Sequence, residues 1–283
     1  MQLVFKFDGK ISRDFRTLFI LPENNILFSY SLFAVRSFVN YFSKSQHIFY
    51  PVDGKVFLLN YLFRNQLHWF KVKKEKQLKK MVEYEKNLDL IINLDIENSS
   101  RYDFALDRQY LAISFSPLKY ATVSFIPSSS LADRIFTNFP CSLGIPFEEF
   151  KLNITSDEKA KARDFIKYKG HSEKNVLVVC DVLDTKKEIW IREYLAQVTR
   201  DKLTFIGQDA LKTVNPDLIV PLISLADLFI SEDSIYTFIA QVLSIKTYLF
   251  KGKGKFLPSP APRLLVEKGD FRKEILLLIP TKK

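Results

Sequence analysis

The chain has 283 residues, room for one large α/β domain or two of about 140 residues each, and 42 Lys and Arg against 32 Asp and Glu leave a formal charge of +10. That surplus favours an anionic partner, whether nucleotide phosphate, nucleic acid or an acidic membrane face, although a lysine-rich solvated surface would produce it too. Only 8 glycines are present, with no G-x-G-x-x-G and no Walker lysine loop, which argues against a dinucleotide-binding dehydrogenase and a P-loop NTPase.

The first twenty residues read as a hairpin, LVFKF and TLFIL around Asp8-Gly9. Pro22–Asn25 then breaks the chain. ILFSY (26–30) reads as a strand and SLFAVRSFVNYF as a helix, followed by a strand at 47–52 and a helix at 56–66. LHWFKV is extended, 76–88 an amphipathic helix, and DLIINLD (89–95) a buried parallel strand. Extended runs at 113–115 and 122–127 and a Ser128–Ser130 cap before LADRIFTNF continue the alternation.

From Pro146 to about Asn175 the chain turns polar, and the domain link is placed at 147–174, with a short helix at 156–167 before Gly170. NVLVVCDV (175–182) restarts the pattern as a strand, KEIWIREYLAQVT follows as a helix and KLTFIG as a strand. The stretch beginning at Ser224, SLADLFISEDSIYTFIAQVLSIKTYLFK, reads as buried strand, polar crossing, helix and strand. EILLLIP is expected to be a terminal strand. The most economical account is two doubly wound, Rossmann-like α/β domains facing a cleft, 1–150 and 151–283, with the cleft as the default ligand site.

Candidate site residues cluster in the second half. Ser231-Glu232-Asp233-Ser234 crosses from strand to helix, where helix amides and the positive dipole end receive a cap or a phosphate. Glu232 would repel a bare phosphate, and suits a ribose or sugar hydroxyl or a place in water. Lys186 and Lys187, just past the strand ending at Val182, can neutralise a diphosphate, and Asp181 and Asp184 flank the same loop as hydroxyl ligands or caps. The run KVKKEKQLKK (71–80), preceded by Trp69 and Phe70, is a charged helix face; an anionic membrane contact or stacking on a nucleic-acid base is its functional reading. Cys141 and Cys180 lack metal-ligand spacing, and His47, His68 and His171 are scattered, so no metal site is expected. No apolar stretch of spanning length occurs, and the N-terminus carries charge where a signal peptide would be apolar. The expected location is cytoplasmic, with a peripheral contact on the inner face of the membrane as an addition.

The second half resembles the ADP-heptose–lipopolysaccharide heptosyltransferases, glycosyltransferase family 9, whose loop D-S/T-G-x-x-H lies between a strand and a helix. LADLFISEDSIYTFIAQVLSIKTYLFKG falls onto that pattern, with Asp233 and Ser234 at the first two loop positions, Ile235 in place of glycine and Phe238 in place of histidine. KKEIW resembles the family's second-domain lysine–tryptophan stretch and puts Lys187 near the donor phosphates. The likeness extends over roughly residues 25–280 and implies a divergent member with the GT-B fold. It implies metal-independent, inverting transfer of a sugar, heptose being the family's case, from a nucleotide-diphosphate donor to a lipopolysaccharide-core or related glycan or lipid-linked glycan acceptor. No further cofactor and no nucleic acid would be needed. Under this likeness Asp8 is the nominated base, with Glu23, Asp95 or a residue supplied by the acceptor complex as alternatives. The alternative is a non-catalytic sugar-nucleotide-binding or scaffold relative of the same fold.

Overall fold

A computed structural model describes residues 16–50, 55–63, 70–72, 90–95, 111–114, 123–124, 152–170, 172, 174–232, 234–250 and 264–280. The chain divides into two compact units, Met1–Phe150 and Lys151–Lys283. Each is Rossmann-like, built on a wholly parallel sheet among the described residues.

In unit 1 the strands are β1 (Arg16–Ile20), β2 (Gln46–Tyr50), β3 (Phe70–Val72), β4 (Leu90–Asn93), β5 (Leu111–Ser114) and β6 (Val123–Ser124), in the order β3-β2-β1-β4-β5-β6. Helix α1 (Asn25–Tyr41) follows β1, and α2 (Val56–Phe63) follows β2. TLFIL is not a hairpin arm: β1 has parallel neighbours on both sides, β2 and β4. Leu18, Phe19 and Ile20 are fully buried, as a strand covered on both faces requires. LVFKF and Asp8 lie outside the described residues.

ILFSY also differs from expectation, forming the first turns of α1. Asn24 starts the helix, its side chain accepting from Leu27 N at 3.3 Å and its carbonyl from Phe28 N at 2.8 Å. The buried hydroxyls of Ser29 and Ser31 bond back to the carbonyls of Asn25 and Phe28, both at 2.7 Å, so the helix carries them without orphaned groups. Burial of Leu27, Phe28, Leu32, Val35 and Phe38 leaves little polar face, and the helical period is blurred. Phenylalanines fill the centre: Phe19 stacks on Phe49 at 5.5 Å, Phe49 on Phe63 at 5.0 Å, and Phe38 meets Phe19 edge-on at 5.4 Å.

Unit 2 opens with α3 (Ser156–Tyr168), inside the polar stretch read as a link. Thr155 and Glu158 form a reciprocal capping box, and the helix ends before Gly170, whose φ of 81° suits glycine. Ala162 and Ile166 are its buried residues. Then come β7 (Val176–Asp181), α4 (Thr185–Val198), β8 (Leu203–Ile206), α5 (Gln208–Thr213), α6 (Pro216–Leu225), β9 (Leu228–Ser231), α7 (Ile235–Val242), β10 (Thr247–Leu249), β11 (Leu264–Val266) and α8 (Phe271–Ile275). The sheet order is β11-β10-β9-β7-β8. One face packs Val176, Val178, Cys180, Ile191, Leu195, Leu228, Ile230 and Tyr248 together.

The terminal strand expected at EILLLIP is instead the end of α8 and the turn after it. Asp270 caps that helix through Arg272 N at 3.0 Å. Phe271, Ile275 and Leu278, spaced four and three residues apart, are buried, while Leu276 and Leu277 face solvent. That is helical spacing, hidden in the sequence by three consecutive leucines.

Candidate functional site

Doubly wound sheets bind ligands outside the carboxyl ends of their strands, where the strand order reverses. In unit 2 that point lies between β7 and β9, the first and third strands of the unit. Their last residues are register partners, Asp181 with Ser231, and Ser231 pairs onward with Leu249 of β10. Glu232 N donates to Asp181 O at 3.2 Å and Phe250 N to Ser231 O at 2.9 Å. Three strands therefore end in line, and their loops rise from one edge.

Three helices begin at this edge. Asp184 caps α4, its carboxylate accepting from Lys186 N at 2.9 Å and Lys187 N at 3.3 Å. Glu188, from within α4, caps α5 by accepting Gln208 N at 3.0 Å. Ser234, the N-cap residue of α7, is extended and makes no side-chain cap bond. The crossing into α7 is held by Thr237, whose hydroxyl donates to Glu232 O at 3.0 Å and shares a 2.6 Å bond with the Ser231 hydroxyl. Two of the three helix ends thus already hold a carboxylate of this chain.

The ammonium of Lys187 spans the edge. It lies 3.3 Å from Glu232 Oε1 and 3.6 Å from the centre of the Phe250 ring. The other oxygen of Glu232 accepts from Leu183 N at 3.5 Å, so one carboxylate ties the β9–α7 crossing to the β7–α4 loop. Behind this pair sits Asp181, only 7% exposed. Burial pushes its pKa up and the Glu232 charge pushes the same way, while the polar side chains of Ser234 and Gln208 and the charge of Lys212 pull it down. Burial, reinforced by the Asp181 charge, raises the Tyr236 phenol. The neighbouring Cys180 thiol is raised foremost by burial and is an inert core group. Hydroxyl-binding carboxylates, a serine hydroxyl and an ammonium beside a helix start form a set suited to a sugar and a phosphate. Among the described residues no group of three or more His, Cys, Asp and Glu is placed to hold a metal ion.

Of the residues singled out in the sequence, Lys187, Glu232 and Ser234 come together here. Lys186 stands on the exposed side of the first turn of α4, where its amide donates to the Asp184 carboxylate. Asp233 lies outside the described residues, as do Asp8, Ser128–Ser130 and most of the lysine run. Phe238 is fully buried on α7. Sequence reasoning passed over Glu188, Gly207 and Thr237. Gly207, set between an apolar strand and Gln208-Asp209, was a legible strand-to-helix turn; a Cβ there would run into the Glu188 carboxylate.

Unit 1 has its own reversal point, between β1 and β4. Ile20 pairs with both Tyr50 and Asn93, so β1, β2 and β4 also end in line. Lys55, whose carbonyl accepts from Leu58 N at the start of α2, sends its ammonium under the loop after β1. It donates to Pro22 O at 3.2 Å and to Glu23 O, and lies 4.7 Å from the centre of the Phe28 ring. Burial lowers its pKa to about 8, against the charges of Asp95 and Glu23, which raise it. Glu23 and Asp95 thus follow β1 and β4 at this edge.

No sequence family and no curated protein matches the chain. Solved structures do. A family 9 glycosyltransferase from Veillonella parvula matches with a TM-score of 0.63 at 12% identity, over 95% of this chain and 92% of its own. ADP-heptose lps heptosyltransferase II of E. coli gives 0.63 at 11%, over 90% and 91%. An E. coli heptosyltransferase solved with ADP gives 0.58 at 9%, over 91% and 94%. At these identities the likeness is one of fold alone, and it extends along nearly the whole chain.

Proposed function

We propose that this chain is a glycosyltransferase-like protein that holds a nucleotide-diphosphate sugar at the carboxyl edge of the unit 2 sheet. It would pass the sugar, heptose being the family precedent, to a lipopolysaccharide-core or related glycan or lipid-linked glycan. The observation that carries this reading is the convergence of Lys187, Glu232 and Ser234 on the β7/β9 reversal point, in a fold shared with family 9 enzymes. Lys187 and the start of α7 would meet the diphosphate, and the carboxylates would take hydroxyls of the transferred sugar. An inverting transfer also needs a base to take the proton of the attacking hydroxyl as the bond to the anomeric carbon forms and the nucleoside diphosphate leaves. Asp8 is the first nominee. Glu23 is the second, because it directly follows β1 at the ligand edge of unit 1. A metal-independent reaction in the cytoplasm, with a peripheral membrane contact toward a lipid-linked acceptor, completes the proposal.

The non-catalytic reading draws support from one feature: Lys187 is already paired with Glu232, and Asp184 and Glu188 already fill two helix ends. Calorimetry with ADP-, UDP- and GDP-linked sugars separates the cases. Binding of one of them, followed by transfer that Asp8→Asn or Glu23→Gln lowers by about 10²–10⁴-fold with donor affinity unchanged, establishes the enzyme. Binding with no transfer across a broad acceptor panel establishes the sugar-nucleotide-binding relative. No binding at millimolar concentration by the folded protein rejects both.

A further inference from the structure

The partner of Lys187 is the unusual feature of this edge. A lysine poised for a diphosphate is expected to present its charge outward, but here a carboxylate from the β9–α7 crossing lies 3.3 Å away and the Phe250 ring covers another side. Both members of the ion pair are partly exposed, Lys187 by about a quarter and Glu232 by about a third. A pair in that position is held weakly and can exchange. Among the described residues the second oxygen of Glu232 reaches only a long 3.5 Å bond to Leu183 N, so little else there fastens the carboxylate.

We propose that Glu232 is an internal competitor for the anionic part of the ligand: its carboxylate occupies the Lys187 ammonium where a ligand phosphate would bind, and a phosphate-bearing ligand binds by displacing it. This rests on the reading of unit 2 as the nucleotide-sugar site and goes beyond it by naming the residue that sets the site's affinity for diphosphate. A nucleoside gains nothing from displacing Glu232, whereas a nucleoside diphosphate exchanges one anion for another on the same ammonium. The exchange makes Glu232 a determinant of selectivity between charged and neutral ligands. It also makes release of the spent nucleoside diphosphate easier, because the departing phosphate is replaced by a group already tethered beside it. No bond is made or broken; the step is a swap of ion-pair partners.

The test is calorimetry of ADP, UDP and GDP, with adenosine, uridine and guanosine as uncharged controls. Wild type, Glu232→Gln, Lys187→Met and the double variant are compared, with folding checked by thermal melts. Glu232→Gln should tighten diphosphate binding about three- to tenfold and leave nucleoside binding unchanged, and Lys187→Met should abolish the gain. Glu232→Ala reports the same direction if the amide itself disturbs the crossing. Diphosphate binding by wild type that is unchanged or weakened in both Glu232 variants overturns the proposal while leaving the site intact. A gain that nucleosides share, or one equally large in the Lys187→Met background, overturns it as well. If no variant binds any nucleotide, the reading of the site falls together with the proposal.

Discussion

At the reversal point of unit 1 the ammonium is that of Lys55, 5% exposed, clasped by the carbonyls of Pro22 and Glu23 and lying against Phe28. At the reversal point of unit 2 it is that of Lys187, held by the partly exposed carboxylate of Glu232 and lying against Phe250. Both sheets bring a lysine, carboxylates and an aromatic ring to the same topological place. They differ in water. A desolvated ammonium cannot change partners without a large cost, so the Lys55 clasp is a fixture that shapes the loop after β1. An ion pair in partial contact with solvent is worth little and can be exchanged for a ligand. The comparison teaches that topology locates a polar edge, whereas burial decides whether it is scaffold or site.

The sharpest way to break that contrast is to remove one carboxylate from each edge. Asp95→Ala should destabilise the protein by about 3 kcal/mol in chemical denaturation, because Asp95 is buried and its charge supports the ammonium of Lys55. A loss no larger than that of Glu232→Gln would show that the two edges are alike.

Unit 1 should also carry an acid sensitivity centred on His47. Burial lowers its pKa to about 4 from the ordinary 6.5, while Nε2 lies 3.0 Å from Phe42 O. The folded state binds the proton less readily than the unfolded chain. Its contribution is therefore present above pH 6.5 and lost as pH falls through 4, about 3 kcal/mol in all. His47→Leu, followed by denaturation at pH 7 and pH 4, should reduce that loss; an unchanged pH dependence would assign it elsewhere.

In unit 2, Gly207→Ala should cost about 1 kcal/mol, since the new methyl displaces Glu188 from the amide of Gln208. A smaller loss with Glu188→Gln than with Gly207→Ala would confirm that geometry, not charge, holds this cap. Smallest of all, Glu232→Gln should change stability by less than about 1 kcal/mol, and its effect belongs to ligand affinity. A large loss of stability there would make Glu232 a structural residue.

Much of the scaffold was legible. The runs at 90–92, 176–180 and 228–230 are uninterrupted apolar segments bounded by polar residues, because strands buried on both faces need no alternation. Helix starts were legible for the same local reason: Asp184 and Thr155 act on amides two and three residues away. Where the apolar pattern was too dense to show a period, at Ile26–Tyr30 and Ile275–Ile279, strand and helix could not be told apart, and the structure made the first a helix and the second a helix end with its turn, by what the neighbouring surfaces buried. TLFIL was a strand in either reading, but its partners, β2 and β4, are choices of the sheet. The site divides in the same way. Sequence alone determined that Lys187 stands just past one strand and Glu232–Ser234 just past another. Only the tertiary structure brought Glu232 onto Lys187, Glu188 onto Gln208 and Lys55 under Pro22, across separations of 45, 20 and 33 residues. Contacts at such distances depend on strand order, and strand order is set by how the buried faces pack rather than by any local run of residues.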